Sequence, residues 1–208
     1  KVAVSFETDK VTLDVFERTV AENIAKAMVK ALEKAIFTGT GSTGHQPKGF
    51  LTETVPAGQT INITSGNHIT YSDLCAMEAA LPEGYEETAV WTMTKNTFFN
   101  EIIGMKDSDG QPIARVNMGL DGKPEYAILG RKVILNGYMK NFAVSPSEDM
   151  KVAAIFDFSR YGLNTNYAMT VRQYTDEATD DVVSKAIMLA DGKAFDINSL
   201  VVMTAKKA

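Results

Sequence analysis

The sequence of 208 residues has one cysteine, Cys75, and two histidines, His45 and His68. A single cysteine excludes a disulfide within the chain and every zinc site that needs several cysteines. The histidines lie in loops rich in glycine, asparagine and threonine. Asp73 could supply a third ligand, but the spacing matches no familiar metal motif. We therefore predict solvated loop histidines, no metal site and no cofactor.

Long apolar runs and an excess of positive charge are also missing. No run approaches the roughly 20 residues of a membrane span, and no basic-then-apolar signal segment opens the chain. Lys and Arg number 21 against 26 Asp and Glu, a net charge of −5, whereas nucleic-acid binders usually carry a basic face. We expect a cytosolic protein without direct DNA or membrane binding. Because residue 1 is Lys1 and not Met, we also expect a processed product, a fragment or the ordered part of a longer protein.

The segment 35–51, AIFTGTGSTGHQPKGFL, carries Gly39, Gly41 and Gly44 in the spacing of a dinucleotide-binding fingerprint. That fingerprint needs a strand before the glycines and a helix after them. Here a helical pattern precedes them and a turn-like Pro47-Lys48-Gly49 follows. Since Gly-Lys-Ser/Thr is also missing, a phosphate-binding P-loop is excluded. We predict a helix end that unwinds into a mobile loop.

A long amphipathic helix is predicted ahead of this segment. Apolar residues recur at three- and four-residue steps from Leu13 to Ile36, the period of one buried helix face. Thr12 is the predicted N-cap, and the rod would be roughly 36 Å long. Ile24 lies on the predicted buried face and Lys26 lies off it.

The remaining patterns predict an α+β chain, because they do not alternate as βαβ units do. The predicted helices are 71–81, capped by Ser72, and 95–104. The predicted strands are 1–10, short ones within 51–69, 89–93, an arm of a hairpin at 111–120, 133–135, 152–158, 168–173, 182–189 and 200–204.

The reactive residue types do not form a catalytic group. Cys75 has no basic neighbour in sequence, so we predict a packed small hydrophobe. The carboxylates of Glu86-Glu87 and Asp176–Asp181 are interpreted as solvated. Residues 107–110 begin like a calcium loop but lack its closing glutamate. Trp91 is predicted to lie in the core. We expect no enzyme activity.

Five short motifs in a fixed order resemble the major capsid proteins of tailed bacteriophages, which have the Hong Kong ninety-seven-like fold. They are AIFTGTG at 35–41 with QPKGFL at 46–51, MKDSDG at 105–110 after the strand of Trp91, ILGRKV at 128–133, AIFDFSRYG at 154–162, and DGKAF at 191–195 before a last apolar strand.

The resemblance implies a fold with a long spine helix at Leu13–Phe37, a peripheral sheet and an axial domain. It assigns residues 1–50 to the peripheral strand and spine helix. Residues 51–145 are then mostly axial domain, and 146–208 return strands to the peripheral domain. Some family members are cross-linked through an asparagine on the penultimate strand. Because Asp181–Leu189 contains no asparagine and the family's extended loop is absent, we do not expect that cross-link here.

The implied function is that of a structural shell subunit, which self-assembles into an icosahedral head enclosing DNA. The implied partners are other copies of the chain in pentamers and hexamers, with scaffold, portal, maturation protease or decoration protein in addition. The implied location is the virion capsid, after assembly in the host bacterial cytoplasm. Two alternatives stay open: an encapsulin-like, cargo-storing shell protein of the same fold, and a small cytosolic α+β hydrolase or binding domain.

The resemblance also places Gln111–Ile128 near a symmetry centre of the shell, as a hairpin that contacts neighbouring subunits. Glycines and Pro124 break its regularity, and Asp121-Gly122 suits a turn. The predicted subunit contacts are Arg115, Asn117, Asp121 and Lys123. An ordinary surface hairpin without a partner is the alternative.

Overall fold

The computed structural model describes residues 2–4, 14–106, 117–118, 124–179 and 181–208. The helices are α1 (Asp14–Thr38), α2 (Tyr71–Ala79) and α3 (Lys95–Thr97), which continues as a π-helix over Phe98–Ile102. The strands are β1 (Val2–Val4), β2 (Thr60–Ile63), β3 (Val90–Thr94), β4 (Asn117–Met118), β5 (Pro124–Glu125), β6 (Ala127–Ile128), β7 (Arg131–Asn136), β8 (Met150–Phe156), β9 (Tyr161–Asp176), β10 (Asp181–Ala194) and β11 (Val201–Ala205).

A six-stranded sheet in the order β2-β11-β8-β3-β7-β6 forms the body of the structure. The pairs β2–β11 and β3–β7 are parallel, and the other neighbours are antiparallel. Its central strands read as continuous apolar runs, such as VAAIF at 152–156 and VVM at 201–203. Such runs are typical of strands that are buried on both faces, and every residue of β11 is buried.

One face of this sheet is covered by α2 and the π-helix. Trp91 and Met93 of β3 pack there against Met77 of α2 and Phe98 of the π-helix, and all four are fully buried. The prediction that Trp91 lies in the core is confirmed. The N-cap of α2 is Thr70 and not Ser72, because Thr70 and the helix residue three positions later form a reciprocal capping box.

The other face is covered by the end of α1 and a short 3-10 turn, Phe50–Thr52. Helix α1 confirms the predicted spine helix, but the prediction of a buried face along it is wrong for most of its length. Side chains from residue 18 to residue 34 are exposed or half-buried, Ile24 among them, and among the α1 side chains described from residue 18 onward those of Ala35 and Phe37 are buried. The C-terminal end of α1 therefore packs into the body. The predicted cap Thr12 lies outside the described residues.

A separate three-stranded sheet has the order β1-β10-β9. Strands β9 and β10 form a hairpin much longer than the predicted 168–173 and 182–189, with 16 and 14 residues. Val183 is the large apolar side chain that it buries within the described residues. The predicted strand 1–10 is confirmed at Val2–Val4, and its remainder lies outside the described residues.

The six-stranded sheet takes strands from both sides of residue 145. Strands β8 and β11 come from 146–208, yet they complete the six-stranded sheet with β2, β3 and β7. Of this third segment, the hairpin β9–β10 forms the other sheet with β1. The assignment of these segments to axial and peripheral parts of a shell stays a prediction.

Candidate functional site

Aromatic side chains join the end of α1 to the six-stranded sheet. Phe50 and Phe156 stack in parallel with ring centroids 4.7 Å apart. Phe37 and Phe158 pack edge-on against Phe50, at 5.1 and 5.4 Å. The hydroxyl of Tyr138 donates a 2.6 Å hydrogen bond to Glu33 of α1, which raises the pKa of Tyr138. This cluster fixes the direction in which α1 leaves the body.

A buried carboxylate lies where the chain passes from β8 to β9. Asp157 is 1% exposed. Its carboxylate accepts hydrogen bonds from the Thr88 hydroxyl at 2.7 Å and from the Ser159 amide at 2.9 Å. Burial by itself would raise the pKa of Asp157, but the hydrogen bonds from Ser159 and Thr88 outweigh burial and hold it below its ordinary value. Asp157 therefore ties the hairpin sheet to the loop before β3.

A second polar contact crosses the same junction. The hydroxyl of Tyr85 donates to Asp196, in the connection from β10 to β11. This bond lowers the pKa of Asp196, as does the Asn198 amide, and it raises the pKa of Tyr85. The guanidinium of Arg160 lies over the Tyr85 ring, 5.9 Å from its centroid. The passages from β8 to β9 and from β10 to β11 are thus each held by hydrogen bonds.

The glycine-rich segment is a closed corner rather than the predicted mobile loop. Gly49 donates to the Gly39 carbonyl at 2.9 Å, and Lys48 donates to the Gly192 carbonyl at 2.7 Å. A side chain at Gly39 would overlap the Pro47 carbonyl, so the corner requires glycine there. Residues 41–44 form a 3-10 turn instead of a helix start. The exclusion of a dinucleotide site agrees with this geometry.

The turn between β6 and β7 carries an unusual residue. Leu129 has a φ of 50° and Gly130 a φ of 85°, the pattern of a type I′ turn that normally takes Asn-Gly. Leu129 is also 46% exposed. Arg131 anchors the turn through a forked contact with Glu78, at 3.0 and 2.8 Å, and Trp91 donates to the same carboxylate at 2.6 Å. An apolar side chain on a strained backbone position therefore lies at the surface.

Six large apolar side chains among those described are exposed on α1 and the hairpin sheet or directly beside it. They are Val29, Leu163, Tyr174, Ile187, Leu189 and Phe195. Where exposed apolar groups form a contiguous patch, they mark a surface that meets another protein. Sequence periodicity could not identify them, because an apolar residue facing a neighbouring chain repeats like one facing the core.

The predicted contact residues fall mostly outside the described part of the chain, where Arg115, Asp121 and Lys123 lie. Asn117 is in β4 and pairs with Glu125 of β5. This pairing agrees with a hairpin in the predicted position. The role of these four residues in subunit contacts stays a prediction.

The reactive side chains form no metal-binding group in the described residues: no cluster of three or more His, Cys, Asp or Glu could hold an ion there. His68 faces Glu101 at 3.0 Å and is largely exposed. The prediction that Cys75 is packed is wrong, since Cys75 is exposed. It lies on the outer side of α2 and hydrogen-bonds with Tyr71, which raises the pKa of Tyr71. No helix in the described ranges is long and apolar enough to cross a membrane.

Comparisons with known proteins agree with this architecture. The capsid of an empty GTA particle, computed with C5 symmetry, superposes with a TM-score of 0.81 at 21% identity, over 99% of this chain and 71% of that chain. The structure of Gordonia phage Cozz gives a TM-score of 0.66 at 15% identity, over 100% of this chain and 69% of that one.

A holo-SrpI encapsulin complex from Synechococcus elongatus PCC 7942 also has a TM-score of 0.66, at 16% identity, over 97% of this chain and 70% of that chain. No curated protein sequence matches the chain. Residues 8–205 match the family described as the phage capsid family. Together with the shared fold, this match establishes that the chain belongs to the phage capsid family.

Proposed function

We propose that this chain is the major capsid subunit of a tailed phage or prophage, that it assembles as pentamers and hexamers, and that these close into an icosahedral head around DNA. The supporting observation is the pair of elements that extend from the body. Helix α1 and the hairpin β9–β10 present apolar side chains that the chain itself leaves exposed. A closed shell gives these surfaces neighbours, and it is held by many modest interfaces rather than by one site.

The role is structural and not enzymatic. Two observations support this. The chain matches the family, and the carboxylates at the junction stabilise the fold: Asp157 and Asp196 each accept hydrogen bonds from neighbouring elements. The negative net charge of −5 favours a subunit that encloses DNA without binding it tightly. Scaffold, portal, maturation protease and decoration protein are the further partners we propose, with assembly in the host bacterial cytoplasm.

A cargo-storing shell is the second candidate. The likeness to the encapsulin complex favours it, because that structure and the phage Cozz structure superpose equally well. Because one fold serves both uses, the contents of the particle must distinguish a phage capsid from a cargo-storing shell.

The test is the purification of particles from cells that express the complete gene product containing these residues. Closed shells that protect DNA from nuclease in the presence of the packaging machinery would support the capsid function. Shells that retain a specific protein and exclude DNA would favour the storage function. A soluble monomer that forms no shells under either condition would contradict both.

A further inference from the structure

Strand β10 has one regularly exposed face. From Lys185 to Lys193 the odd-numbered side chains are exposed and the even-numbered ones are half-buried. Where the register of the hairpin shifts, the extra residue lies on β9. Ile187 faces Thr170 and Leu189 faces Tyr167, so a step of two residues on β10 matches a step of three on β9. Strand β10 therefore stays regular, and its odd-numbered side chains share one face.

Phe195 extends this face by one more position. Its amide donates to the Arg160 carbonyl at 2.8 Å, which continues the ladder beyond the last strand residue. A side chain at Gly162 would overlap the Phe195 ring. Because Gly162 is the cross-strand partner of Lys193, the ring lies on the same face as Lys193. Phe195 is 76% exposed. Because Gly162 has no side chain, the Phe195 ring can lie directly against the backbone of that residue.

The exposed face reads apolar, acidic, basic, apolar. Its members are Leu189, Asp191, Lys193 and Phe195, and Leu189 is 59% exposed. The order is self-complementary about Gly192. If a second copy is turned by a two-fold axis at Gly192, Asp191 of each copy faces Lys193 of the other. The same rotation places Leu189 of each copy opposite Phe195 of the other. A two-fold contact requires this kind of self-complementary patch.

We propose that two copies of the chain pack face to face along β10, with a two-fold axis at Gly192. The opposite charges set the register of the two strands, and Phe195 acts as the aromatic anchor against Leu189 of the second copy. The proposal rests on the proposed self-assembly, and it adds the surface, the symmetry and the residue pairs of one contact. Because the order of side chains is self-complementary, two identical copies can form this contact without a third component.

Disulfide trapping tests the predicted pairing directly. All variants carry Cys75→Ser, because Cys75 is exposed and would otherwise cross-link. Chains with Leu189→Cys and Phe195→Cys, one of them tagged, are mixed with an oxidant, and disulfide dimers are followed on non-reducing gels. The mixed dimer should form at least about tenfold faster than either like pair, since thiols react only within reach of each other. Equal rates for all three pairings would mean random collision and would overturn the proposal.

A charge exchange tests the register independently of the thiols. Asp191→Lys places like charges opposite each other, as does Lys193→Asp, and each should slow the mixed trapping about tenfold. The double variant Asp191→Lys/Lys193→Asp restores the opposite pairs and should return to within about twofold of the original rate. Lys185→Asp, on the same face but outside the contact, is the matched control. A double variant no faster than the single ones would contradict the proposed contact.

The trapping experiment separates this contact from the proposed function. If the complete gene product forms shells but trapping is random, the two-fold contact is contradicted and the capsid function is not. Specific trapping without shells would uphold the contact and count against the capsid function. If each variant unfolds at the same midpoint temperature as the original chain, a slower trapping rate reflects weaker association and not loss of fold.

Discussion

The hydroxyl of Thr88 donates a 2.7 Å hydrogen bond to the carboxylate of Asp157, and this bond joins the loop before β3 to the start of the hairpin sheet. Asp157→Ala removes the buried carboxylate that accepts from the Thr88 hydroxyl and the Ser159 amide. Because hydrogen bonds to a charged acceptor are lost, we expect a decrease of about 1.5–3 kcal/mol in the free energy of unfolding, measured by urea denaturation. The control Glu148→Ala removes a largely exposed carboxylate and should leave the midpoint unchanged. A midpoint for Asp157→Ala equal to that control would show that the junction does not depend on this carboxylate.

Acid should destabilise the same junction. Hydrogen bonds hold the pKa values of Asp157 and Asp196 below their ordinary range. A carboxyl with a lowered folded-state pKa stabilises the fold above its unfolded pKa, which is about 4. That stabilisation is lost as the pH falls through the folded pKa.

The free energy of unfolding should therefore decline below about pH 4, and the decline should be shallower in Asp157→Asn than in the original chain. Urea titrations at a series of pH values measure both slopes. Parallel declines in the two proteins would contradict a role for Asp157.

Relief of backbone strain should stabilise the β6–β7 turn. Leu129 has a φ of 50°, a region that asparagine adopts more readily than leucine. We expect Leu129→Asn to raise the free energy of unfolding by about 1 kcal/mol. Gly130→Ala, at a φ of 85°, should lower it. If Leu129→Asn destabilises the chain, then the leucine side chain makes contacts that the turn geometry does not reveal.

The aromatic cluster at the end of α1 and the middle of the helix should respond differently to substitution. Phe50→Ala removes a fully buried ring from the cluster that receives the end of α1 and should cost about 3–5 kcal/mol. Ile24 is only half-buried, so Ile24→Asp should cost about 1 kcal/mol or less. Urea denaturation compares the two variants, with Lys26→Ala as the exposed control. A cost for Ile24→Asp as large as that of Phe50→Ala would show that this helix face is buried within the chain.

The sequence predicts those elements whose pattern has a single physical explanation. The runs at 152–156 and 201–203 are apolar without alternation, which suits a strand buried on both faces. The period of α1 identifies a helix, but it does not say whether Ile24 faces the core or a neighbouring chain. That distinction depends on assembly, and a single sequence holds no separate signal for it.

Other features depend on contacts that the sequence cannot show. The predicted hairpin is too short because Gly162 and Asn164 have low strand propensity. In the structure, pairing with β10 keeps both residues in the strand. Leu129 breaks the usual composition of its turn, so the tight β6–β7 hairpin could not be read from turn chemistry. The face of Leu189, Asp191, Lys193 and Phe195 becomes visible only once β10 is known to continue to Ala194.

Cryo-electron microscopy of the complete gene product is the most direct measurement of the central claim that this chain forms a shell. The account predicts closed particles with five-fold and six-fold clusters of subunits, in which each subunit keeps the six-stranded sheet and the projecting hairpin. Discrete particles of another architecture would contradict it. A protein that stays monomeric under all assembly conditions would contradict it as well.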